Sequence, residues 1–481
     1  MVRLSPILYV LGLILMALGV AMGATALFDR IVGEDQTAVF LLSSFITLFS
    51  GGALTFANRV PALEMDSRQA FVLTVLAWVG ATAFGALPFA FMPEVSYAGA
   101  FFEAMSGLTT TGSTVLVGLD TMPRAILLWR SLLQWMGGIG IIVMAIAVLP
   151  FLRIGGMQLF KTESSDKSEK VMPRPGQIAT ATARVYLVLT ALCAAGYALT
   201  GMSGFDAVNH AMTTLSTGGY STYDASFGHF ESPAAQWIGT LFMLAGGLPF
   251  ILYVRMAQGH PTALVADGQV QVFLALVAAG SVAVALWLVT EASMDFFTAL
   301  RLSAFNLASI ITTTGYAAGD YSLWGSFPVM VVFLFTFMGA CSGSTAGGIK
   351  IFRFQIIYMA LRMQVQRMIH PHAVIPRQYT GVRLSDEVIA SVLVFSMVYL
   401  LTMIGLALAL AAVGLDFVTA LTGAATAIGN VGPGLGEIIG PAGNFSSLPD
   451  AAIWILSLGM LLGRLELMTV FVLLSPVFWR S

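Results

Sequence analysis

A chain of 481 residues that is 58% hydrophobic and 10% charged, against about 25% charged in an ordinary soluble domain, has too little polar surface to cover a globule and belongs in a bilayer. With 22 basic and 24 acidic residues the formal charge is only −2, which gives no reason to expect nucleic acid as a partner; the informative quantity is where the charges lie along the chain. Cys193 and Cys341 lie far apart in apolar surroundings, so they support neither a disulfide framework nor a zinc site and read as buried, inert thiols.

The first apolar run, 7–28, is about as long as a span and exceeds the roughly 7 to 15 residues of a signal-peptide core, so it reads as a retained helix. Further runs follow at 39–56, 70–91, 126–152, 183–200, 237–254, 270–289, 327–337, 388–413 and 451–477. Each is long enough to span, or for the 327–337 run to span in part. The polar sections between them are too short for a soluble domain, so any large cytosolic module must be a separate protein.

A three-part pattern recurs four times: a spanning run, a shorter amphipathic stretch ending in Thr and Gly, then another spanning run. The stretches lead into Thr109-Thr110-Thr111-Gly112, Ser216-Thr217-Gly218-Gly219-Tyr220, Thr312-Thr313-Thr314-Gly315-Tyr316 and Gly429-Asn430-Val431-Gly432-Pro433-Gly434. Taking Gly112, Gly218, Gly315 and Gly432 as equivalent gives intervals of 106, 97 and 117 residues, a near-regular period. An acidic residue accompanies each stretch, Glu103, Asp206, Asp295 and Asp416, and such carboxylates are expected to cap four short helices at their positive ends. The expected organisation is two N-terminal helices in 1–60 and pore repeats at 61–155, 178–258, 268–365 and 384–481, the third with a broken last helix.

Lys and Arg set the orientation. With the glycine turns entering from one side, the other side carries Arg59 and Arg68, then Arg153, Lys161, Lys167, Lys170, Arg174 and Arg184, then Arg255, then Lys350, Arg353, Arg362, Arg367, Arg377 and Arg383. The turn side carries only Arg30, Arg124, Arg130 and Arg301. The positive-inside rule makes the basic side cytoplasmic, with both termini inside. Carboxylates such as Glu94, Asp120, Asp224 and Asp320 crowd the outer mouth, where they would concentrate cations.

A bare cation crossing hydrocarbon needs its hydration shell replaced, and rings of backbone carbonyls do this where chain segments converge on an axis. Glycine allows the backbone to aim successive carbonyls that way, and irregular backbone at membrane depth survives where it lines a water-filled cavity. A Thr-Gly pair taken singly is as well explained as a helix cap; four at one period and on one side point to a shared pore.

These turns, the short helices before them and the final Asn430-Val431-Gly432-Pro433-Gly434 resemble the Trk, Ktr and HKT superfamily of cation transporters over essentially the whole chain. The two extra N-terminal spans are similar to its TrkH branch. The resemblance implies an all-α membrane protein of four helix, pore helix, filter loop, helix repeats around one pore in a bacterial inner membrane. It implies potassium as the transported ion, with no organic cofactor in this chain and no enzymatic step. The ion-binding residues it implies are Thr110, Thr111, Gly112, Ser216, Thr217, Gly218, Thr313, Thr314, Gly315, Asn430, Val431 and Gly432. Glycine at all four equivalent places goes with potassium preference, while Asn430-Val431 departs from the pattern and sodium permeation stays open. The implied partners are a cytosolic nucleotide-binding regulatory subunit, TrkA-like, and a second copy in a homodimer.

The segment 339–348 interrupts the third repeat's last span with small and polar residues. A phosphate loop is a poor reading, because Ile349 stands where Lys is needed and no strand precedes it; a small-residue helix contact is the plain alternative. The resemblance implies an intramembrane gate loop with Gly339, Cys341, Ser342, Gly343, Ser344, Thr345, Ala346, Gly347 and Gly348. Arg464 falls within the final apolar run, where a charge costs about 2.5 to 3.5 kcal/mol. The resemblance puts it in the permeation path beside that loop; the alternative is a structural ion pair elsewhere, with Glu466, two residues on, a weak candidate. A second functional reading, a symporter coupled to protons or sodium, needs a titratable intramembrane carboxylate, for which Glu466 and Glu291 are the candidates. The five histidines lack metal spacing.

Overall fold

The computed structural model describes residues 3–60, 65–147, 175–372, 378–379 and 382–480. Backbone polar groups have no water to bond in hydrocarbon, so the long Leu-, Val- and Ala-rich runs close their hydrogen bonds internally as helices. The N-terminal pair, α1 (Ser5–Val32) and α2 (Thr37–Ala57), is antiparallel and meets through small residues. Ser44 Oγ donates to the Gly19 carbonyl at 2.7 Å, a close approach of the kind that small residues permit between membrane helices.

Four similar units follow. The first is α3 (Ser67–Gly85), α4 (Tyr97–Leu108) and α5 (Arg124–Ala147); the second is α6 (Pro175–Leu199), α7 (Gly204–Leu215), α8 (Pro233–Gly246) and α9 (Phe250–Ala257). The third is α10 (Gly268–Glu291), α11 (Phe296–Ile311), α12 (Ser326–Phe337) and α13 (Ile351–Ile369); the fourth is α14 (Asp386–Ala412), α15 (Phe417–Gly429), α16 (Asp450–Arg464) and α17 (Leu467–Leu474). Among the described residues seven helices are long and apolar enough to cross a membrane, or up to nine if each of two bent pairs is one span. Among the described residues the one strand pairing between named elements is the two-residue hairpin Gln378–Tyr379 with Val382–Arg383, so the architecture is all-α in substance.

The four short helices α4, α7, α11 and α15 form the centre. Their Ala, Gly, Ser and Thr side chains are buried along most of their length, whereas large apolar residues such as Leu199, Phe297 and Phe417 stand exposed on the periphery, where lipid would cover them. Three of the four expected acidic residues stand at the starts of their helices, Asp295 and Asp416 as caps and Asp206 in the first turn, and Glu103 does not. Asp295 accepts from the Thr298 amide and Asp416 from the Val418 and Thr419 amides; hydrogen bonds from Thr419, then Val418, hold the Asp416 carboxyl below the usual carboxylate range. The first two helices are capped by Ser96 and Ser203 instead. Both serines stand one place before the first helical residue, where a short hydroxyl reaches the third amide; Ser203 also donates to Asp206 in the first turn, while Glu103 is left for contacts inside the protein.

The break expected in the third repeat alone occurs in three. Helices α8 and α9 meet at 91° and α16 and α17 at 108°, although 237–254 and 451–477 read as continuous spans. Pro249 cannot donate a backbone hydrogen bond and opens α9, which ends the first ladder. At the second break Glu466 takes the left-handed φ of +57°. Lys350 and Arg353, counted with the loops of the basic side in the charge pattern, are buried, at 8% and 0% exposure. The basic residues Arg153, Lys161, Lys167, Lys170, Arg174 and Arg377 lie outside the described residues.

Candidate ion pathway

Beyond each short helix the backbone takes the same path. A left-handed residue comes first, Thr110, Thr217, Thr313 or Asn430, with φ between 52° and 57°. Two places on stands a left-handed glycine, Gly112, Gly219, Gly315 or Gly432, with φ of 90°, 73°, 81° and 110°. Between them the amides of Thr111, Gly218, Thr314 and Val431 bond back five residues to Ser106, Thr213, Ser309 and Thr426 carbonyls at 2.8 to 3.0 Å. The equivalent glycine of the second turn is therefore Gly219, not Gly218, and the intervals become 107, 96 and 117 residues. Ser216 drops to the level of Thr109, Thr312 and Gly429, at the end of its helix. Gly218-Gly219 left the register ambiguous in the sequence; the following tyrosine, Tyr220 against Tyr316, was the signal that fixes it.

The glycines close the four turns into a ring. A Cβ on Gly112 would strike the Gly218 carbonyl, on Gly219 the Thr314 carbonyl, on Gly315 the Val431 carbonyl, and on Gly432 the Thr111 carbonyl at 2.9 Å. Each glycine thus packs on the carbonyl of the next turn, in the order first, second, third, fourth, first. That close approach requires the missing Cβ, and the left-handed φ disfavours any side chain as well. A cavity of about 70 Å³ touches Gly112, Gly219, Gly315 and Gly432 together, with Asp224 on its wall.

Neighbouring turns are stapled behind the ring. Tyr220 donates to the Glu103 carbonyl at 2.8 Å, and Tyr316 to the equivalent His210 carbonyl at 3.2 Å while pairing with Thr213 Oγ1 at 2.5 Å. Glu103 is a buried ion-pair partner of Arg130 at 2.8 Å, and its carboxylate also accepts from the Val115 amide. On the fourth turn Asn430 Nδ2 donates to Thr111 Oγ1 at 3.0 Å and to the Met460 carbonyl at 2.9 Å. Asn430 Oδ1 and Thr110 Oγ1, both from the left-handed set, are buried without a hydrogen-bond partner among the described residues.

The segment 339–348 touches the ring at Thr345 and Gly347. The Gly347 amide donates to Thr313 Oγ1 at 2.7 Å, and Thr217 Oγ1 donates to Thr345 Oγ1 at 3.1 Å. The segment is tied to the second repeat's break by Cys341 and Thr345 amides on Gly247 and Gly246 carbonyls, and by the Phe250 amide on the Gly343 carbonyl. The Ser342 amide donates to Gln269 Oε1 at 3.1 Å, and Ser344 Oγ donates to the Cys341 carbonyl at 2.6 Å. The chain ends of the segment meet where the Gly339 amide bonds the Ile349 carbonyl at 2.8 Å.

Two cations hold the segment's carbonyls. Lys350 Nζ donates to Ala346, and Arg464 Nη1 donates to Thr345 at 2.8 Å. Arg464 is the last residue of α16 rather than a mid-helix residue, so the negative end of the helix dipole stabilises its charge. It is buried, at 3% exposure, and its Nε and Nη2 have no partner among the described residues. The carboxylate beside the break, Glu466, pairs with Arg353 instead at 2.7 Å, while the Arg353 guanidinium lies 3.6 Å over the Phe395 ring. Among the described residues no group of three His, Cys, Asp or Glu is placed to hold a metal, and Cys193 and Cys341 are free and buried.

Four helix, short helix, helix units around one ring of glycine turns make this a multi-pass all-α membrane protein. The TrkH family model, described as a cation transport protein, matches residues 36–480, and the chain belongs to that family. It is 49% identical to the Trk system potassium uptake protein TrkI of Halomonas elongata, over 100% of this chain and 98% of that protein. It is 38% identical to the Trk system potassium uptake protein TrkH of Vibrio parahaemolyticus over the full length of both. The crystal structure of the potassium transporter TrkH from Vibrio parahaemolyticus superposes with a TM-score of 0.92 at 36% identity, covering 99% of this chain and 100% of that one. These relatives are transporters, and the chain is not an enzyme.

Proposed function

We propose that this chain carries potassium inward across the bacterial inner membrane, through a filter formed by the four turns and past a gate formed by the 339–348 segment with Arg464. The observation that carries the reading is the closed cycle of glycine-on-carbonyl contacts, since a ring of carbonyls from four converging walls is what replaces a cation's hydration shell. The ion contacts are then Thr110, Thr111 and Gly112; Thr217, Gly218 and Gly219; Thr313, Thr314 and Gly315; Asn430, Val431 and Gly432. The oxygens of Thr110 and Asn430, which have no donor among the described residues, suit a cation. The names of the relatives support potassium as the cargo.

Dehydrated ions leaving the ring meet the segment at Thr345 and Gly347, and the Arg464 charge beyond it opposes a cation. Membrane potential, worth about 2.3 kcal/mol per charge per 100 mV, drives uptake. Control by a nucleotide-binding, TrkA-like subunit and assembly as a homodimer, with both termini cytoplasmic, belong to the same proposal; the Trk system names of the relatives support the subunit. The symporter reading loses its candidates, because Glu466 is engaged by Arg353 and Glu291 is exposed at the end of α10.

Isotope flux into liposomes containing this protein alone, with potassium, rubidium, sodium and caesium competing, tests the reading. Potassium should compete far better than sodium, and sodium passing equally well sinks it. A reversal potential that follows an imposed pH gradient would restore the symporter.

A further inference from the structure

The second turn lacks something the others have. At the place between the left-handed residue and the ring glycine, the first and third turns carry Thr111 and Thr314 and the fourth carries Val431, while the second carries Gly218. Thr111 and Thr314 each use that side chain to pair with the hydroxyl two residues back, Thr109 and Thr312, at 2.7 Å. Gly218 has no left-handed φ, so backbone conformation does not demand glycine there. Space does: a Cβ on Gly218 would run into Gln134, whose Cδ, Oε1 and Nε2 are the three atoms nearest to it.

Gln134 belongs to α5, the second long helix of the first repeat, and is completely buried. Its carboxamide makes two bonds to the second turn. Nε2 donates to the Gly218 carbonyl at 2.6 Å, and Oε1 accepts from the Tyr220 amide at 3.0 Å. The amide donor of Tyr220 fixes which end of the carboxamide faces which way. The Gly218 carbonyl is also the one on which Gly112 packs, so this single side chain touches the ring at the joint between the first two walls.

We propose that Gln134 is a positioning residue for ion discrimination: a side chain lent by the first repeat takes the place of the missing one at Gly218 and sets the second wall's ring carbonyl. The proposal rests on reading the turns as an ion filter. It explains why the second turn alone can carry two glycines without slackening, and it makes the second wall's geometry depend on a helix outside its own repeat. Gln134 need not touch the ion, since it acts through the carbonyl it holds.

The test uses the full-length protein in liposomes and reads the potassium-to-sodium flux ratio alongside potassium flux and thermal unfolding. Gln134→Met keeps the bulk and removes both bonds; its ratio should fall about tenfold, equivalent to about 1.4 kcal/mol, with potassium flux retained. Gly218→Thr alone should also lower the ratio by crowding Gln134. The double variant Gln134→Ala with Gly218→Thr should recover to within about threefold of the wild type, because the threonine then supplies its own side chain with the Ser216 hydroxyl two places back. A wild-type ratio in Gln134→Met, or a double variant no better than Gly218→Thr, overturns the proposal. Should Gln134→Met fail to fold, Gly218→Ala against Gly218→Ala with Gln134→Ala decides alone, rescue of the ratio supporting the proposal and its absence overturning it. A wild-type protein that passes sodium as well as potassium overturns the filter reading and this one with it, and is thereby told apart from a failure of Gln134 alone.

Discussion

The ring and the segment beneath it are built from the same residue types, glycine, threonine and serine in irregular backbone, yet they are held in opposite ways. In the ring, one backbone pattern occurs four times, each turn is locked to its own helix by a five-residue back-bond, and each glycine leans on its neighbour's carbonyl. The segment occurs once. Its hydrogen bonds to the left-handed residues are single ones at Thr217 and Thr313, and one of its two cationic supports, Arg464, has donors to spare among the described residues. Repetition makes a carbonyl cage that cannot relax at one place without strain at the next, which suits selection. Under the proposed function the single-copy segment, which no repeated neighbour locks, is the element assigned to the gate.

Four substitutions break or sharpen that contrast. The largest effect is expected for Gly219→Ala, which combines a left-handed φ with a collision on the Thr314 carbonyl; potassium flux should drop roughly a hundredfold, and near-normal flux would return the ring position to Gly218. Next, Glu466→Gln leaves the buried Arg353 without its counter-ion, and calorimetric or detergent unfolding should show about 3 kcal/mol lost stability. An unchanged unfolding midpoint would mean that the pair does not hold the α16–α17 bend. Arg464→Ala removes the charge under the segment and should raise potassium flux roughly five- to tenfold while leaving the potassium-to-sodium ratio alone, given a coupling of about 1 to 1.4 kcal/mol. A changed ratio would show that the two regions are not separable. The smallest is Tyr316→Phe, which removes the staple to His210 and Thr213 and should cost about 1 kcal/mol of stability, read as a few degrees in melting temperature; a larger fall in selectivity than in stability would place Tyr316 with Gln134 among the ring's supports.

The repeat, the turns and the role of glycine at Gly112, Gly315 and Gly432 were legible because each depends on local backbone demands that recur at a fixed period. The register of the second turn was missed, since a glycine doublet satisfies the local rule at either position; the tyrosine that follows, Tyr220 matching Tyr316, was the sequence signal, and the left-handed φ of Gly219 against the Thr314 carbonyl shows which glycine it is. Asp295 and Asp416 were legible as caps because they immediately precede their helices. Glu103 was misread as a cap because its partner, Arg130, is 27 residues away. The bends at Gly246 to Pro249 and at Glu466 were missed for another reason: hydropathy measures whether a run can lie in a membrane, not whether its hydrogen-bond ladder is continuous.

The sequence by itself determined the membrane class, the fourfold repeat and which residue types stand at the turns, because composition, periodicity and backbone freedom are properties of short stretches of chain. Only the tertiary structure decided which glycine faces which carbonyl, that Gln134 fills the space at Gly218, that Glu466 belongs to Arg353, and that Arg464 ends a helix beneath Thr345. Those are pairings between repeats a hundred or so residues apart. No local pattern encodes them, since a buried donor is satisfied by whichever acceptor the packing brings within about 3 Å.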